Sequence, residues 1–413
     1  MATDGLIYAA KNNGNTADMH VLIVGAGLGG LTAAAILLQR GHTVRVYEQA
    51  AALGEVGAGI QISANACKVL QELGLGDALD ALAVAPTAFR FQVFNSGELL
   101  HEIPLGDSHE QAFGAKYYHI HRADLHSMLA RRVTELDRDA IVLKRSARSF
   151  AEDHESILLR FADGSETRGD LLIGADGIKS AVRAQIIGDI AAYFTGYVAW
   201  RAVVDADQLP ANYMDKVCTV WVGPQAHAVV YYLRRGELLN FVGIVENDDW
   251  RDESWTVKDS WDKLKADFVP WHEDVQLLID SLPRLDCYRW ALYNRPPVTA
   301  WSTARATLLG DAAHPTLPFM AQGAAMAIED SAILVRALAQ ADTVDAALQL
   351  YQHNRYARTA RIQNGSNQMG ELYHLNTVAK LREGFDRHDI SSDQHHWLYS
   401  YDPLTVPLIP PGE

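Results

Sequence analysis

Three glycines at Gly25, Gly27 and Gly30, an acid at Glu48 and two later pairs, Asp176-Gly177 and Gly310-Asp311, are the residues whose types and spacing point to chemistry. Gly25 permits a tight turn, Gly27 lets the backbone approach a pyrophosphate, and Gly30 allows close helix packing. The helix start that follows offers unpaired N–H groups and a positive dipole end to phosphate charge. Glu48 lies about twenty residues further on, where an acid can accept hydrogen bonds from an adenosine ribose. Leu28 and Gln49 adjoin these positions and are assigned to the same dinucleotide.

A second constellation lies between Gln225 and Tyr232. Strand alternation puts His227, Val229 and Tyr231 on one face, and Ala228, Val230 and Tyr232 on the other. The first face offers two polar tips around an apolar centre, the mix that holds a flat aromatic ring and aims donors at its substituents. Histidine titrates near neutral pH, so His227 is the candidate to take a ring hydroxyl proton or to bind the resulting anion, with Tyr231 beside it. A half-buried strand with both tips in solvent is the structural alternative. His314, next to Pro315, reads either as a group that orients substrate or shuttles a proton, or as one that bonds locally to the backbone.

Each set needs an element to hold it. Val21 to Val24 reads as a buried strand, Leu31 to Arg40 as a helix, and a second strand ends at Glu48, which together make a βαβ unit. Asp170 to Gly174 and Ala306 to Leu309 are apolar strands that deliver their aspartates to the carboxyl edge of a sheet, where ligands bind in α/β folds. Gly59 and Gln61 enter a short strand from a glycine-rich turn that begins at Gly54. From about residue 188 to 300 the chain turns to β-branched and aromatic runs, Tyr197 to Val204, Val217 to Val222, His227 to Leu233 and Leu239 to Val245, which read as an antiparallel sheet. Pro315 to Pro318 form a rigid turn into a helix that starts near Gln322, with Gly323 and Ala324 in its positive end.

The expected fold class is therefore α/β, a Rossmann-like dinucleotide-binding domain with an inserted antiparallel-sheet substrate domain and C-terminal helices. The expected boundaries are a disordered tail at 1–18, the first part of the nucleotide domain at 19–187, the substrate sheet at 188–300, the last part of the nucleotide domain at 301–340 and a helical extension at 341–413. The stretch Thr343 to Arg382 is free to pack on its own chain or on a partner, so monomer and homodimer both stay open.

With 413 residues, of which 48% are hydrophobic, the chain can bury a large core. A formal charge of −15 without basic patches argues against nucleic acid or an anionic membrane as partner, and means that an anionic substrate needs local donors. Cys67, Cys218 and Cys287 lack metal-ligand spacing and pairing, so neither a disulfide framework nor a metal site is expected, and a reducing cytoplasm fits. No apolar run approaches the roughly eighteen residues of a membrane helix.

With these motifs in place the chain resembles the class A FAD-dependent aromatic hydroxylases, the flavoprotein monooxygenases that include 4-hydroxybenzoate and salicylate hydroxylases. The resemblance covers about residues 20 to 375. It implies that Glu48 binds the adenosine ribose of FAD, that Asp311 binds the ribityl chain, that Asp176-Gly177 serve FAD and NAD(P)H together, and that Arg122, in His121-Arg122-Ala-Asp124, contacts FAD. It also implies that the turn containing Gly59 borders the flavin, and that the helix end at Gly323 points at the flavin edge that gains charge on reduction. NADH or NADPH then reduces FAD, O2 adds to form a C4a-hydroperoxide, and a hydroxylated aromatic carboxylate is attacked at an electron-rich ring carbon.

Within the family, His227 with Tyr231 and Tyr232, Leu292-Tyr-Asn294-Arg295-Pro296, the run from His314 through Pro318 to Gly323, and Trp397-Leu-Tyr-Ser-Tyr401-Asp402 resemble the 6-hydroxynicotinate 3-monooxygenase and salicylate hydroxylase branch. That branch replaces a ring carboxylate by hydroxyl and releases carbon dioxide. Gln61 departs from it, standing where a histidine is expected, so salicylate 1-hydroxylation and 3-hydroxybenzoate 6-hydroxylation remain alternatives. Gln61, His227, Val229, Tyr231 and Pro318 are the expected substrate contacts. A nicotinamide-only dehydrogenase would leave Asp176 and Asp311 without a role, and a non-catalytic flavin protein would bind the cofactor without turnover.

Overall fold

The computed structural model describes residues 18–54, 59–188, 190–252, 254, 256–387 and 392–412. The expected tail lies outside these apart from Asp18, as do residues 55–58 of the glycine-rich turn. Strands apolar on both faces belong in the middle of a covered parallel sheet. His20–Val24 and Leu171–Gly174 take that place in a five-stranded sheet ordered Ala306–Leu308, Leu171–Gly174, His20–Val24, Thr43–Tyr47, Ile141–Val142. All its pairings are parallel, with Val24 opposite Gly174 and Gly174 opposite Leu308. The three sequence signatures therefore leave one carboxyl edge from neighbouring strands, and Glu48 follows the fourth strand beside them.

Two glycines make that edge close. Gly25 sits at φ +101°, and a Cβ there would lie 2.3 Å from the Ala175 carbonyl oxygen. A Cβ on Gly30 would lie 2.1 Å from the Gly25 carbonyl oxygen, which is how the helix Leu28–Gln39 lies so tightly on its own turn. That helix is buried on nearly every side, packed on the helices Gly323–Gln340 and Arg122–Leu136, and so its sequence is alanine- and leucine-rich all round.

The second large sheet has seven strands, ordered Tyr288–Asn294, Tyr193–Asp205, Leu238–Glu246, Ala226–Leu233, Cys218–Gly223, Ala88–Val93, Leu99–Pro104. The region 188–300 supplies five of these in antiparallel register, as expected. The hairpin Ala88–Val93 and Leu99–Pro104 extends it through a parallel seam onto Cys218–Gly223. Cys218–Gly223 is buried along its whole length, and an unpaired edge there would leave backbone groups without partners. One face of this sheet packs on the helices Trp261–Asp267 and Glu273–Ser281, and the other packs on Leu317, Phe319 and, through Leu372, Tyr373, Leu381 and Phe385, on the C-terminal helices.

The helix Val344–Tyr373 lies along Gly323–Gln340 on its own chain. Between them Arg355, fully buried, donates to Asp330 at 2.6 Å and pairs with Glu329 at 2.7 Å. Arg358 adds a second contact to Glu329 at 2.7 Å. Burial alone would push the Asp330 carboxyl up; His314 and Arg355 overcome it and hold it at about 2. The three cysteines are free and buried. No helix among the described residues is long and apolar enough to cross a membrane.

Arg355→Met should remove the one guanidinium that two buried carboxylates share and lower unfolding stability by about 3–5 kcal/mol, read from the urea midpoint. Because the Asp330 carboxyl is depressed on folding, its stabilisation is present above the ordinary aspartate pKa of ~3.9 and is lost as pH falls toward about 2. A midpoint that does not move in Arg355→Met would show that the network carries no net stability.

Candidate active site

A cavity of about 1440 Å³ lies between the carboxyl edge of the parallel sheet and the inner face of the seven-stranded sheet. Ligand pockets commonly run to roughly 300–1,000 Å³, so this one has room for more than a single small molecule. Its nucleotide end is lined by Gly27, Leu28, Gln49 and Arg122, and by the Asp176-Gly177 and Asp311 turns. Its far end is lined by Gly59, Gln61, Arg201, His227, Val229 and Tyr231. Pro318, Gly323 and Ala324 join the two. Gly25, Gly30, Glu48 and His314 do not form its wall.

The nucleotide end has open room and unspent polar groups. A Cβ on Gly27 would meet nothing within 4 Å, in contrast to Gly25 and Gly30 on either side, so only this glycine faces open space. Asp311 is exposed where it lines the cavity, and no protein group among the described residues hydrogen-bonds its carboxylate. Burial pushes that carboxyl up, with Arg122 and His314 drawing it partly back. An acceptor left unpaired toward a cavity suits the hydroxyls of a sugar or ribityl chain. Glu48 is already engaged, its two oxygens accepting the N–H groups of Ala26 at 3.0 Å and Ala50 at 2.8 Å. Each oxygen retains a second lone pair for a ribose. Asp176 caps the helix Ala181–Ile187, accepting from Ser180 and from the Ala181 N–H at 2.8 Å, while part of it borders the cavity.

At the other end the strand Ala226–Leu233 obeys the expected alternation. His227, Val229 and Tyr231 face the cavity, and Ala228, Val230 and Tyr232 belong to the opposite core. His227 is 1% exposed, edge-on to Phe319 and Tyr373, and its Nδ1 meets His374 Nε2 at 2.7 Å. Burial, then His374, holds its imidazole well below the ordinary histidine value. Tyr231 packs against His119 with centroids 4.4 Å apart and the rings tilted by 40°, and burial raises its phenol well above the usual range. A Cβ on Gly59 would lie 2.5 Å from the Tyr231 ring, so the ring that this glycine lets close is the protein's own tyrosine. Gln61 accepts from Tyr117 Oη at 2.7 Å and donates toward Cys218 Sγ at 3.5 Å, which fixes its amide at the wall.

The helix Gly323–Gln340 starts one residue after the expected position. Gln322 turns away from the cavity, bonded to Ser63 and Asn65 at 3.1 Å each, and the helix's first turn borders the cavity at Gly323 and Ala324. That end can stabilise negative charge on a bound ring. His314 takes neither role proposed for it. Its Nε2 donates to Asp330 at 2.7 Å, its ring sits edge-on to Trp301, and it is 2% exposed behind the wall, because the Asp330 carboxylate is a stronger acceptor than a backbone carbonyl.

Arg201 escaped the sequence reading. It is 3% exposed, lines the cavity, and stacks on Tyr288 and Trp290. A lone arginine inside the apolar run Tyr197 to Val204 was the available signal, since strand interiors bury charge only where something answers it. Among the described residues no group of three or more His, Cys, Asp or Glu is placed to hold a metal.

The family described as FAD binding domain matches residues 18–366. The 3-hydroxybenzoate 6-hydroxylase of Polaromonas naphthalenivorans (strain CJ2) is 39% identical over 94% of this chain and 97% of its own length. The 6-hydroxynicotinate 3-monooxygenase of Bordetella bronchiseptica is 36% identical over the same shares. The crystal structure of Klebsiella pneumoniae HpxO complexed with FAD and uric acid superposes with a TM-score of 0.82 at 25% identity, covering 95% of this chain and 98% of that one.

Asp311→Ala should purify with little flavin, its affinity for FAD reduced ~10–100-fold by loss of a hydrogen bond to a charged acceptor. The ratio of flavin to protein absorbance measures this. Full occupancy in the variant would remove Asp311 from the cofactor site.

Proposed function

This chain belongs to the FAD-binding family of aromatic-ring monooxygenases, and on that premise we propose that it hydroxylates a hydroxylated aromatic or pyridine carboxylate with O2 and NADH or NADPH, releasing the carboxylate as carbon dioxide. The observation that carries the substrate class is the cavity-facing side of the strand Ala226–Leu233, where His227 and Tyr231 place two polar tips on either side of the apolar Val229. The residues that would hold FAD are Gly27, Leu28, Gln49, Arg122, Asp311 and the helix start at Gly323, with Glu48 beneath the glycine turn. The chemistry that FAD supplies when bound is acceptance of hydride from the nicotinamide and activation of O2 toward the ring.

The chain's own residues make the ring reactive. His227 Nδ1 is occupied by His374, which leaves Nε2 to take the proton of the ring hydroxyl. The resulting anion pushes electron density into the ring carbon that receives oxygen. Tyr231 Oη orients the substituent, and Phe89, Phe91, Val220, Ile244 and Leu292 exclude water from the reacting face. Arg201 supplies local positive charge for the substrate carboxylate in a chain whose net charge is −15.

A second reading keeps the carboxylate, as in 3-hydroxybenzoate 6-hydroxylation. Gln61 favours it, being a neutral amide fixed by Tyr117 and Cys218 at the position where the decarboxylating branch is expected to carry histidine.

Oxidation of NADH by the yellow protein should be stimulated by one of 6-hydroxynicotinate, salicylate and 3-hydroxybenzoate, with product mass and carbon dioxide deciding between loss and retention of the carboxylate. No stimulation by any of them would sink this substrate class. Because His227 is depressed, its base form persists below the ordinary histidine pKa of ~6.5, so the acid limb of kcat/KM should fall below that value. His227→Ala should slow hydroxylation ~10²–10⁴-fold and flavin reduction far less; equal losses in both steps would refute its role as base.

A further inference from the structure

Behind His227 the hydrogen bonding does not stop. His227 Nδ1 meets His374 Nε2 at 2.7 Å, and His374 Nδ1 meets Glu246 Oε1 at 3.0 Å. His374 is the first residue after the helix Val344–Tyr373, and Glu246 ends the strand Leu238–Glu246, so three separate elements converge on one line. His227 and the His374 side chain are buried, whereas the Glu246 side chain is 42% exposed. Neither His374 nor Glu246 lines the cavity, so Glu246 reaches solvent on the outer surface. Tyr197 covers His374 edge-on, and Tyr373 and Phe319 cover His227, leaving the imidazoles each other and the carboxylate as polar partners.

The chemistry of the end group orders the whole line. A carboxylate only accepts, so His374 Nδ1 must carry a proton. The Nε2 of a neutral His374 is then bare and accepts, so His227 Nδ1 carries a proton as well. The Nε2 of His227 is therefore left as a lone pair toward the cavity. We propose that His227, His374 and Glu246 form a proton wire that carries the substrate's hydroxyl proton out of the closed cavity to the protein surface. The assignment of His227 as base in the preceding section is its premise.

The transfer balances atom by atom. The substrate O–H bond breaks as His227 Nε2–H forms, His227 Nδ1–H breaks as His374 Nε2–H forms, and His374 Nδ1–H breaks as a Glu246 O–H forms. Glu246 then gives its proton to water. A buried imidazolium is expensive, and burial together with His374 depresses His227, so a proton taken at Nε2 must move on. The His374 hydrogen bond holds the Glu246 carboxyl below its ordinary range, so the last acceptor hands its proton to water readily. His374 and Glu246 are positioning and relay groups that touch no substrate.

Two measurements on the FAD-loaded protein test this. In nitrogen-15 histidine spectra of the wild type, His227 and His374 should both appear as Nδ1–H tautomers. In weakly buffered solution with an indicator dye, rapid mixing with 6-hydroxynicotinate, salicylate or 3-hydroxybenzoate should release a proton, and Glu246→Gln should slow that release ~tenfold or more, with FAD occupancy retained as the check on folding. Concentrated imidazole should restore the rate in Glu246→Gln, by replacing the lost acceptor at the surface, and should fail to do so in His227→Ala. A bare Nδ1 on His227, or equal release in wild type and Glu246→Gln, overturns the wire. A wild type that none of these acids stimulates defeats the substrate reading, and the tautomer spectra still decide the wire.

Discussion

The carboxylate of Asp330 is the joint on which the site depends. One of its oxygens accepts the Gly310 N–H at 2.9 Å and the His314 Nε2–H at 2.7 Å, and the other accepts from Arg355 at 2.6 Å. A single buried anion thus fixes the turn that presents Asp311, the segment leading to Pro318, and the helix Val344–Tyr373 against Gly323–Gln340. A charge so far from water persists only with such partners, and each partner is itself fully or nearly fully buried. Moving any one element leaves the anion underpaired, so the cavity wall and the C-terminal helices hold their positions together.

What was legible in the sequence was local. The glycine turn, both Gly/Asp turns and the alternation of His227, Val229 and Tyr231 follow from backbone geometry over a few residues, and each carries a composition that few other structures require. What was not legible came from residues far apart in the chain. His314 looked like a group for the cavity because proline-flanked histidines beside a ligand turn are chemically suggestive, yet its partner Asp330 lies a whole turn and helix start further on. The wire from His227 needed His374 and Glu246, separated by 147 and 19 residues from it, and no spacing rule links them. The parallel seam between Cys218–Gly223 and Ala88–Val93 was hidden for the same reason.

The cavity divides labour between two surfaces of different origin. The parallel sheet's edge supplies small residues and unspent acceptors, which suit a nucleotide whose phosphates and sugars need close backbone and aimed oxygens. The seven-stranded sheet supplies aromatic and aliphatic faces with a few polar tips, which suit a flat ring. Arg122 and Arg201 bring positive charge to the space between, where a low dielectric makes each count for more than it would on the acidic exterior.

The parallel seam also sets an order on the birth of the molecule. During synthesis the hairpin at Ala88–Val93 and Leu99–Pro104 leaves the ribosome long before Cys218–Gly223 exists, and the third signature strand, Ala306–Leu308, comes later still to its place beside Leu171–Gly174. Both sheets must therefore wait, with open edges, for partners separated by more than a hundred residues of chain, and such closures are slow and exposed to mispairing. The nascent chain should consequently be a client of holding chaperones until its last third emerges, and its yield on expression should depend more on that interval than on the stability of the finished fold.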